Sequence, residues 1–290
     1  MIPLKIDSPV RAKNITLTLD YLLKNYDCPI IITEADEFQK AKVHLPNDKR
    51  ITYRFHELKY DEPFHRTRYL NEMTCLSKTE CVANWDADVM LDKETLVEAV
   101  RLLMMNNFDV VYPYDAEGLH VVDVTIPRGL PAWLYVKNGW TESPSNFLKG
   151  GVWTTESYDP FLVLQEDKNK KIPALLRKMF AIAGHCQIIK KESYLKGFLE
   201  NENFISWGPE DLERLSRFKK LGLSVTHMKN CRVYHLNHPK SKDSGLKCPT
   251  YTSNKLLWER LKKMNKDELI EYYEGQSYLK KYANEASGGD

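Results

Sequence analysis

No apolar run in the chain approaches the ~18 residues that a membrane-spanning helix requires, and the N-terminus lacks the charged-then-apolar pattern of a secretory signal. A soluble protein is expected, or one from which a targeting segment has been removed. Cysteine is sparse and scattered. Cys28, Cys75, Cys81, Cys186, Cys231 and Cys248 include no C-x-x-C pair, which argues against a zinc knuckle or a disulfide scaffold and for reduced, mostly buried thiols. Net charge is missing too: 42 basic against 40 acidic residues give a formal charge of +2. That excludes a nucleic-acid binder driven by global charge. There is no internal repeat and no low-complexity tract. What remains is 290 residues of which 42% are hydrophobic, enough for one large core or two modest ones.

Short apolar runs alternate with helical patterns over the first third. Ile2 to Ile6 reads as a strand with Pro3 near its start or at an edge. Ile15, Leu19, Leu22 and Leu23 form one helical face. Pro29 to Thr33 reads as a buried strand stopped by Glu34-Ala35-Asp36, and Ile51 to Phe55 alternates as another. A helix is expected from Arg66 to Ser77, then a strand ending at Asp86. A second helix follows, capped by Asp92, with Leu96, Val97, Val100, Leu103 and Met104 inward. Asp109 to Tyr112 is the next strand. This order predicts a largely parallel sheet covered on both faces, with ligands bound beyond the carboxyl ends of its strands. Residues 127–173, with Trp133, Trp140 and Trp153, read as loops over the sheet edge, either gripping an acceptor or merely anchored by their tryptophans. Phe180 to Ile189 is an apolar strand interrupted by Gly184, a residue that suggests close approach by a ligand or a simple bulge. Pro209 fits the first position of a helix running to Leu221, with Glu210 and Asp211 in its first turn and Leu212, Leu215 and Phe218 inward. The last forty residues read as surface helices with a disordered tip at Ala286 to Asp290.

Asn84 to Leu91 places Asp86 and Asp88 one residue apart at the end of a buried strand. Two carboxylates there are costly without a compensating partner, and on an extended segment both would face one cation. Such tripeptides are also common in turns. His235 and His238, three apart after a short strand, complete a mixed oxygen and imidazole set that suits Mn²⁺ or Mg²⁺ better than structural zinc. Each histidine could equally be a hydrogen-bonded core or surface residue. Glu210 or Asp211 could take a proton from an attacking hydroxyl, or could be present for the helix dipole alone. Arg66 and Arg68 could pair with phosphate or carboxylate or be solvated. Phe64 could stack on a base or belong to the core.

Five segments, in order, resemble the metal-dependent glycosyltransferases of the GT-A fold, and most specifically the beta-1,4-galactosyltransferase family. They are Ile2-Pro3-Leu4-Lys5, Phe64-His-Arg-Thr-Arg-Tyr-Leu-Asn71, Asp86-Ala-Asp88, Trp207-Gly-Pro-Glu-Asp211, and His235-Leu-Asn-His238 with Ser241-Lys-Asp243. The polypeptide N-acetylgalactosaminyltransferases are a more distant likeness. They retain anomeric configuration and carry asparagine after the glutamate, so Asp211 tilts the resemblance towards inversion. There are departures: Pro209 replaces a glycine, His235 a methionine and Lys5 an arginine, and His185 follows Gly184 in place of a second glycine.

The resemblance implies an α/β, Rossmann-like GT-A domain with a C-terminal helical extension. Residues 1–126 would be its nucleotide-sugar half, 127–243 its acceptor-binding and catalytic half, and 244–290 the extension. It implies an inverting transfer of a hexose or N-acetylhexosamine, galactose-type, from a UDP-sugar to a hydroxyl of a glycan or lipid-linked glycan. Asp211 would be the general base, and Asp88, His235 and His238 would bind Mn²⁺ or Mg²⁺. Pro3, Phe64, Arg66, Asp86 and Gly184 would line the donor site, and Trp207 and Glu210 would contact the acceptor. A bacterial cytoplasmic enzyme with at most peripheral membrane contact is expected, a truncated luminal domain of a Golgi-type enzyme being the alternative. Three other readings stay open: a retaining transferase, a metal-dependent nucleotidyltransferase, and a non-catalytic sugar-nucleotide-binding protein.

Overall fold

The computed structural model describes residues 1–105, 108–115, 121–124, 183–231, 233–236 and 238–287. The expected loops at 127–173 therefore lie outside the described residues, as does the chain end at 288–290. Strands β1 (Ile2–Leu4), β2 (Ile30–Asp36) and β3 (Ile51–Glu57) form a parallel ladder in the order β1-β2-β3. A second ladder runs β4-β8-β6-β9, from β4 (Cys81–Trp85), β6 (Val110–Tyr112), β8 (Cys186–Lys190) and β9 (Val225–His227). The two join at Met1. Its ammonium donates to the Ala83 carbonyl at 2.8 Å, and the Trp85 N–H donates to the Met1 carbonyl at 3.0 Å. One residue bonded to positions on either side of its neighbour is the parallel pattern. The whole sheet thus reads 3-2-1-4-8-6-9 with only β8 reversed. The strand order changes direction between β1 and β4, the switch point where such sheets open a crevice at their carboxyl ends.

Pro3 helps to make that opening. It is the buried second residue of the three in β1, opposite Thr33, near the strand's start as expected. Backbone groups of alternate residues point the same way in a strand, so Pro3 faces β4, as Met1 does. The β4 ladder has already ended there, and the missing N–H breaks no bond.

Alternation along β2 shows both faces covered. Ile30 and Ile32 join a core with Ile15, Leu19 and Leu22 of α1 (Pro9–Asn25), capped by Ser8. Ile31 and Ala35 meet Tyr69, Leu70 and Met73 of α2 (Arg66–Leu76). β2 does not stop at Glu34 as expected. Glu34 is fully buried and continues the strand, because its carboxylate accepts from the Lys40 and Ala41 N–H groups (3.0 and 2.8 Å) and from the Tyr53 hydroxyl. The helix after the aspartates, α3 (Lys93–Met105), turns a different face inward. Thr95, Ala99 and Leu103 are buried, while Val97, Val100 and Met104 are exposed. Small residues let the helix sit close to Val111 of β6 and Ile188 of β8.

A smaller ladder sets β10 (Val233–Leu236) between β5 (Val89–Leu91), antiparallel, and β7 (Val121–Val124), parallel. β8 begins at Cys186, so Gly184 lies in the turn before it rather than within a strand. After β8 come α4 (Lys191–Lys196) and α5 (Glu210–Leu221). Pro209 is the N-cap of α5 rather than its first helical residue, and Gly222 ends the helix with φ 90°. Helices α6 (Tyr251–Leu261), α7 (Lys266–Glu274) and α8 (Ser277–Ser287) follow; the last carries helix through Ala286 and Ser287, where a disordered tip was expected. All six cysteines are free, Cys186 and Cys248 buried and the other four only partly so. No helix among the described residues is long and apolar enough to cross a membrane.

Candidate active site

Asp86-Ala87-Asp88 forms the turn from β4 to β5, closed by the Val89 N–H donating to the Asp86 carbonyl at 3.2 Å. In a turn the two acids do not share a direction, which corrects the expectation of one shared cation. Asp88 is buried and faces His235 Nε2 (3.6 Å), on β10, and His238 Nε2 (3.2 Å). One ligand atom from each of these three residues lies within 4.8 Å of the others. The β10–β5 pairing explains the convergence, since His235 stands opposite Val89, next to Asp88. Burial pulls the His238 pKa below its ordinary value, against the pull of Asp88, so its imidazole is neutral and able to ligate. One carboxylate and two imidazoles fit a divalent transition-metal ion. Arg11 Nη1, 3.2 Å from Asp88 Oδ2 and tied to Asp7 at 3.1 Å, shares that carboxylate.

Asp86 turns the other way, to Arg66 Nη2 at 2.8 Å. Arg66 also reaches Asp211 Oδ1 at 3.5 Å, and so bridges the two acids from the first turn of α2. Burial opposes the Arg66 charge, but Asp86, Asp211 and Glu210 more than offset it and raise its pKa. Burial likewise works against the charge on Asp86, yet Arg66 and His185 hold its carboxyl below the usual range. The resemblance gave Arg66 to the nucleotide; here it is engaged by the site's own carboxylates.

Asp211 Oδ1 takes a second hydrogen bond, from Arg214 Nη2 at 2.7 Å. Among the described residues nothing donates to Oδ2. Arg214 is fully buried and holds both oxygens of Glu200 (2.8 and 3.0 Å). Glu200 in turn accepts from the Tyr194 hydroxyl and from Asn84 Nδ2 (3.1 Å), two residues before Asp86. An unbroken polar chain therefore ties Asp211 to the strand that carries the aspartates. Glu210, beside Asp211, is buried with Oε2 unpartnered among the described residues. Burial first, then the Asp211 charge, pushes its pKa up to about 8. At neutral pH it is a protonated acid, able to donate a hydrogen bond.

Trp207 lies 5.3 Å from Tyr251, ring to ring. Gly208 permits the turn behind it, because a Cβ there would come within 2.8 Å of Asn254. Phe64 packs at 5.3 Å against Tyr69 and is partly exposed, so it is half core and half rim. The Ser241-Lys-Asp243 segment does not join the metal cluster. Asp243 pairs instead with Lys5 at 2.5 Å and accepts from Ser206. Pro3 lies in β1 and Gly184 in the turn before β8, its carbonyl held by the Tyr114 hydroxyl.

Two residues, His185 and Arg214, were missed from the sequence as members of the site, and Asp36 was noted only for its place at a strand end. His185 sits in the turn before β8, its ring 5.7 Å from that of His235. Burial, then His235, lowers its pKa to about 4. Arg214 was hidden by its place in an amphipathic helix. Asp36, at the end of β2, has a buried Oδ2 with no partner among the described residues. Its position at a strand's carboxyl end was the one available signal.

No protein-family model matches the sequence, and no curated protein does. Solved structures do. Staphylococcus aureus TarS, solved with UDP-GlcNAc, matches 98% of this chain and 70% of its own, at 11% identity and a TM-score of 0.53. The Pyrobaculum calidifontis mannosyltransferase PcManGT, solved with GDP-Man and Mn²⁺, matches 100% of this chain and 74% of its own, at 12% identity and a TM-score of 0.50. The fold is GT-A. The catalytic domain of Drosophila beta1,4-galactosyltransferase 7 also matches, over 79% of this chain and 63% of its own, at 13% identity and a TM-score of 0.39. In this GT-A domain the crevice between β1 and β4 carries Asp86 and Asp88 on one lip and faces Asp211 through Arg66.

Proposed function

We propose that the protein is an inverting glycosyltransferase that moves a hexose or N-acetylhexosamine, galactose-type, from a UDP-sugar to a hydroxyl of a glycan or lipid-linked glycan. The observation that carries this reading is an Asp88-His235-His238 cluster, its Asp88 in the same turn as Asp86, which Arg66 links to a half-anchored carboxylate, Asp211. The neighbours' ligands, UDP-GlcNAc in one and GDP-Man with Mn²⁺ in the other, support a sugar-nucleotide donor and a divalent metal.

Asp88, His235 and His238 would hold Mn²⁺ or Mg²⁺, which when bound supplies positive charge against a diphosphate leaving group. Arg66 keeps Asp86 at the crevice lip on the ribose side of that cluster. The acceptor hydroxyl gives up its proton to Asp211 Oδ2, while Arg214 and Arg66 fix Oδ1 and so fix the direction of the free oxygen. A hydroxyl attacking an oxocarbenium-like carbon loses its proton late, so an ionised carboxylate suffices as base. Glu210, protonated, donates to a sugar oxygen, and Trp207 offers an apolar face to the acceptor ring. Asp211→Asn is expected to lower transfer by about 10²–10⁴-fold while leaving UDP–Mn²⁺ affinity within twofold, by calorimetry. Near-normal turnover in that variant would sink the assignment.

A further inference from the structure

Ala183-Gly184-His185 is held more firmly than a connecting turn needs. Arg214 Nη2 donates to the Ala183 carbonyl at 2.8 Å, the Tyr114 hydroxyl to that of Gly184 at 2.6 Å, and the Asp86 N–H to that of His185 at 3.0 Å. The Cys186 N–H also returns to the Gly184 carbonyl at 2.8 Å, closing a three-residue turn around His185, whose φ is 65°. That is the positive-φ form of the γ-turn, rare and strained for any residue with a side chain. Glycine would adopt it freely. A strained non-glycine residue persists only where its surroundings over-determine it, and such residues cluster at ligand contacts.

The side chain has a place suited to one. Its ring stands edge-on to Tyr114 (6.2 Å, 80°) and to His235 (5.7 Å, 66°). Neither ring nitrogen makes a hydrogen bond among the described residues. The residue therefore stands between Asp86, whose N–H its carbonyl accepts, and His235 of the metal cluster, beside which a donor's sugar ring would lie. Rings on two sides restrict its swing, so it presents a donor and an acceptor atom in a fixed direction.

We propose that His185 is a specificity-determining residue that hydrogen-bonds a ring hydroxyl of the donor sugar, and that its strained backbone is retained for this contact. The inference rests on the sugar-nucleotide reading above. An imidazole in this position selects by hydroxyl geometry: a sugar whose hydroxyl points elsewhere leaves a buried polar atom unpaired, and that is how such sites discriminate.

The test is calorimetry with Mn²⁺ and five probes: UDP, UDP-galactose, UDP-glucose, UDP-N-acetylglucosamine and GDP-mannose. The wild-type chain is expected to bind one UDP-sugar at least tenfold more tightly than its epimer or its N-acetyl counterpart. His185→Gly is expected to keep UDP affinity within twofold, to lose that tenfold preference, and to melt at a higher temperature because the turn is relaxed. His185→Asn tolerates positive φ and keeps a donor and an acceptor, and should recover part of the preference. A folded His185→Gly that ranks the sugars as the wild type does overturns the proposal and leaves the transferase reading intact. So does a wild-type chain that binds UDP but ranks all its sugars alike. A wild-type chain that binds no nucleotide sugar overturns both.

Discussion

The arginines behind the crevice and those at its lip hold carboxylates in different ways. Arg214 and Arg217, on α5, are 0% and 1% exposed. Their acceptors belong to the protein: Glu200, Asp211 and the Ala183 carbonyl for one, Glu213 and the Gly197 and Leu199 carbonyls for the other. Arg66 and Arg11, at the lip, pair with Asp86 and Asp88, the acids that a nucleotide or a metal would approach. The inner pairs are costly to desolvate and contribute little net stability as pairs, but breaking one is severe because it strands its partner. The outer pairs can exchange a protein partner for a ligand. The inner set fixes geometry, and in the proposed reading the outer set balances the site's charges until a ligand takes over.

The largest effect should come from halving an inner pair. Arg214→Met leaves Glu200 buried without its countercharge, and urea denaturation should show a loss of about 3–5 kcal/mol. The double variant Arg214→Met with Glu200→Gln should recover most of it. If the double variant is as unstable as the single, packing rather than charge governs this region, and the contrast with the lip fails.

Glu210 tests the boundary between the two sets, being buried like the inner residues but with Oε2 unpartnered among the described residues. Its folded-state pKa, about 8, lies above the ordinary 4.5. Its contribution is therefore intact below pH about 4.5 and is lost as the pH rises through about 8. Glu210→Gln removes that loss. The variant should match the wild type near pH 4 and be more stable by pH 9. At about 1.4 kcal/mol per pKa unit, the gain is of order a few kcal/mol. Parallel melting curves across this range would place Glu210 among the solvated acids.

At the lip, Asp88→Asn keeps an acceptor for Arg11 but gives up the carboxylate. Mn²⁺ at 100 times its dissociation constant should stabilise the wild type by about 2.7 kcal/mol. The variant should show no metal-dependent shift and an otherwise similar melt. Equal shifts in both would remove Asp88 from the metal cluster.

Much of the fold could be read from alternation and period, as Ile15, Leu19 and Leu22 of α1 illustrate. The errors share a cause. Hydrophobic pattern counts large apolar residues, but beside the expected Leu103 α3 buries Thr95 and Ala99, because close packing on β6 and β8 favours small ones there. Glu34 looked like a strand stop because its three donors, two of them backbone N–H groups, lie six to nineteen residues along the chain. Arg214 and Arg217 gave no sequence sign of burial, because Glu200 and the Ala183, Gly197 and Leu199 carbonyls that complete their acceptor sets lie outside α5. At the site, Asp88, His235 and His238 could be proposed from residue type, yet only the β5–β10 register brings them together. The opposite turn of Asp86 and the strain at His185 are backbone facts without a residue-type signal.

Pro3 has a consequence for how such a crevice can change over time. The gap between β1 and β4 begins where an imino acid offers no hydrogen to a neighbouring strand, so the gap does not depend on the acids that line it. Exchanging Asp86, Asp88 or His185 would alter what the crevice accepts without zipping it shut. Under the proposed function, donor choice can therefore drift through substitutions at the lips while the cleft itself is inherited unchanged.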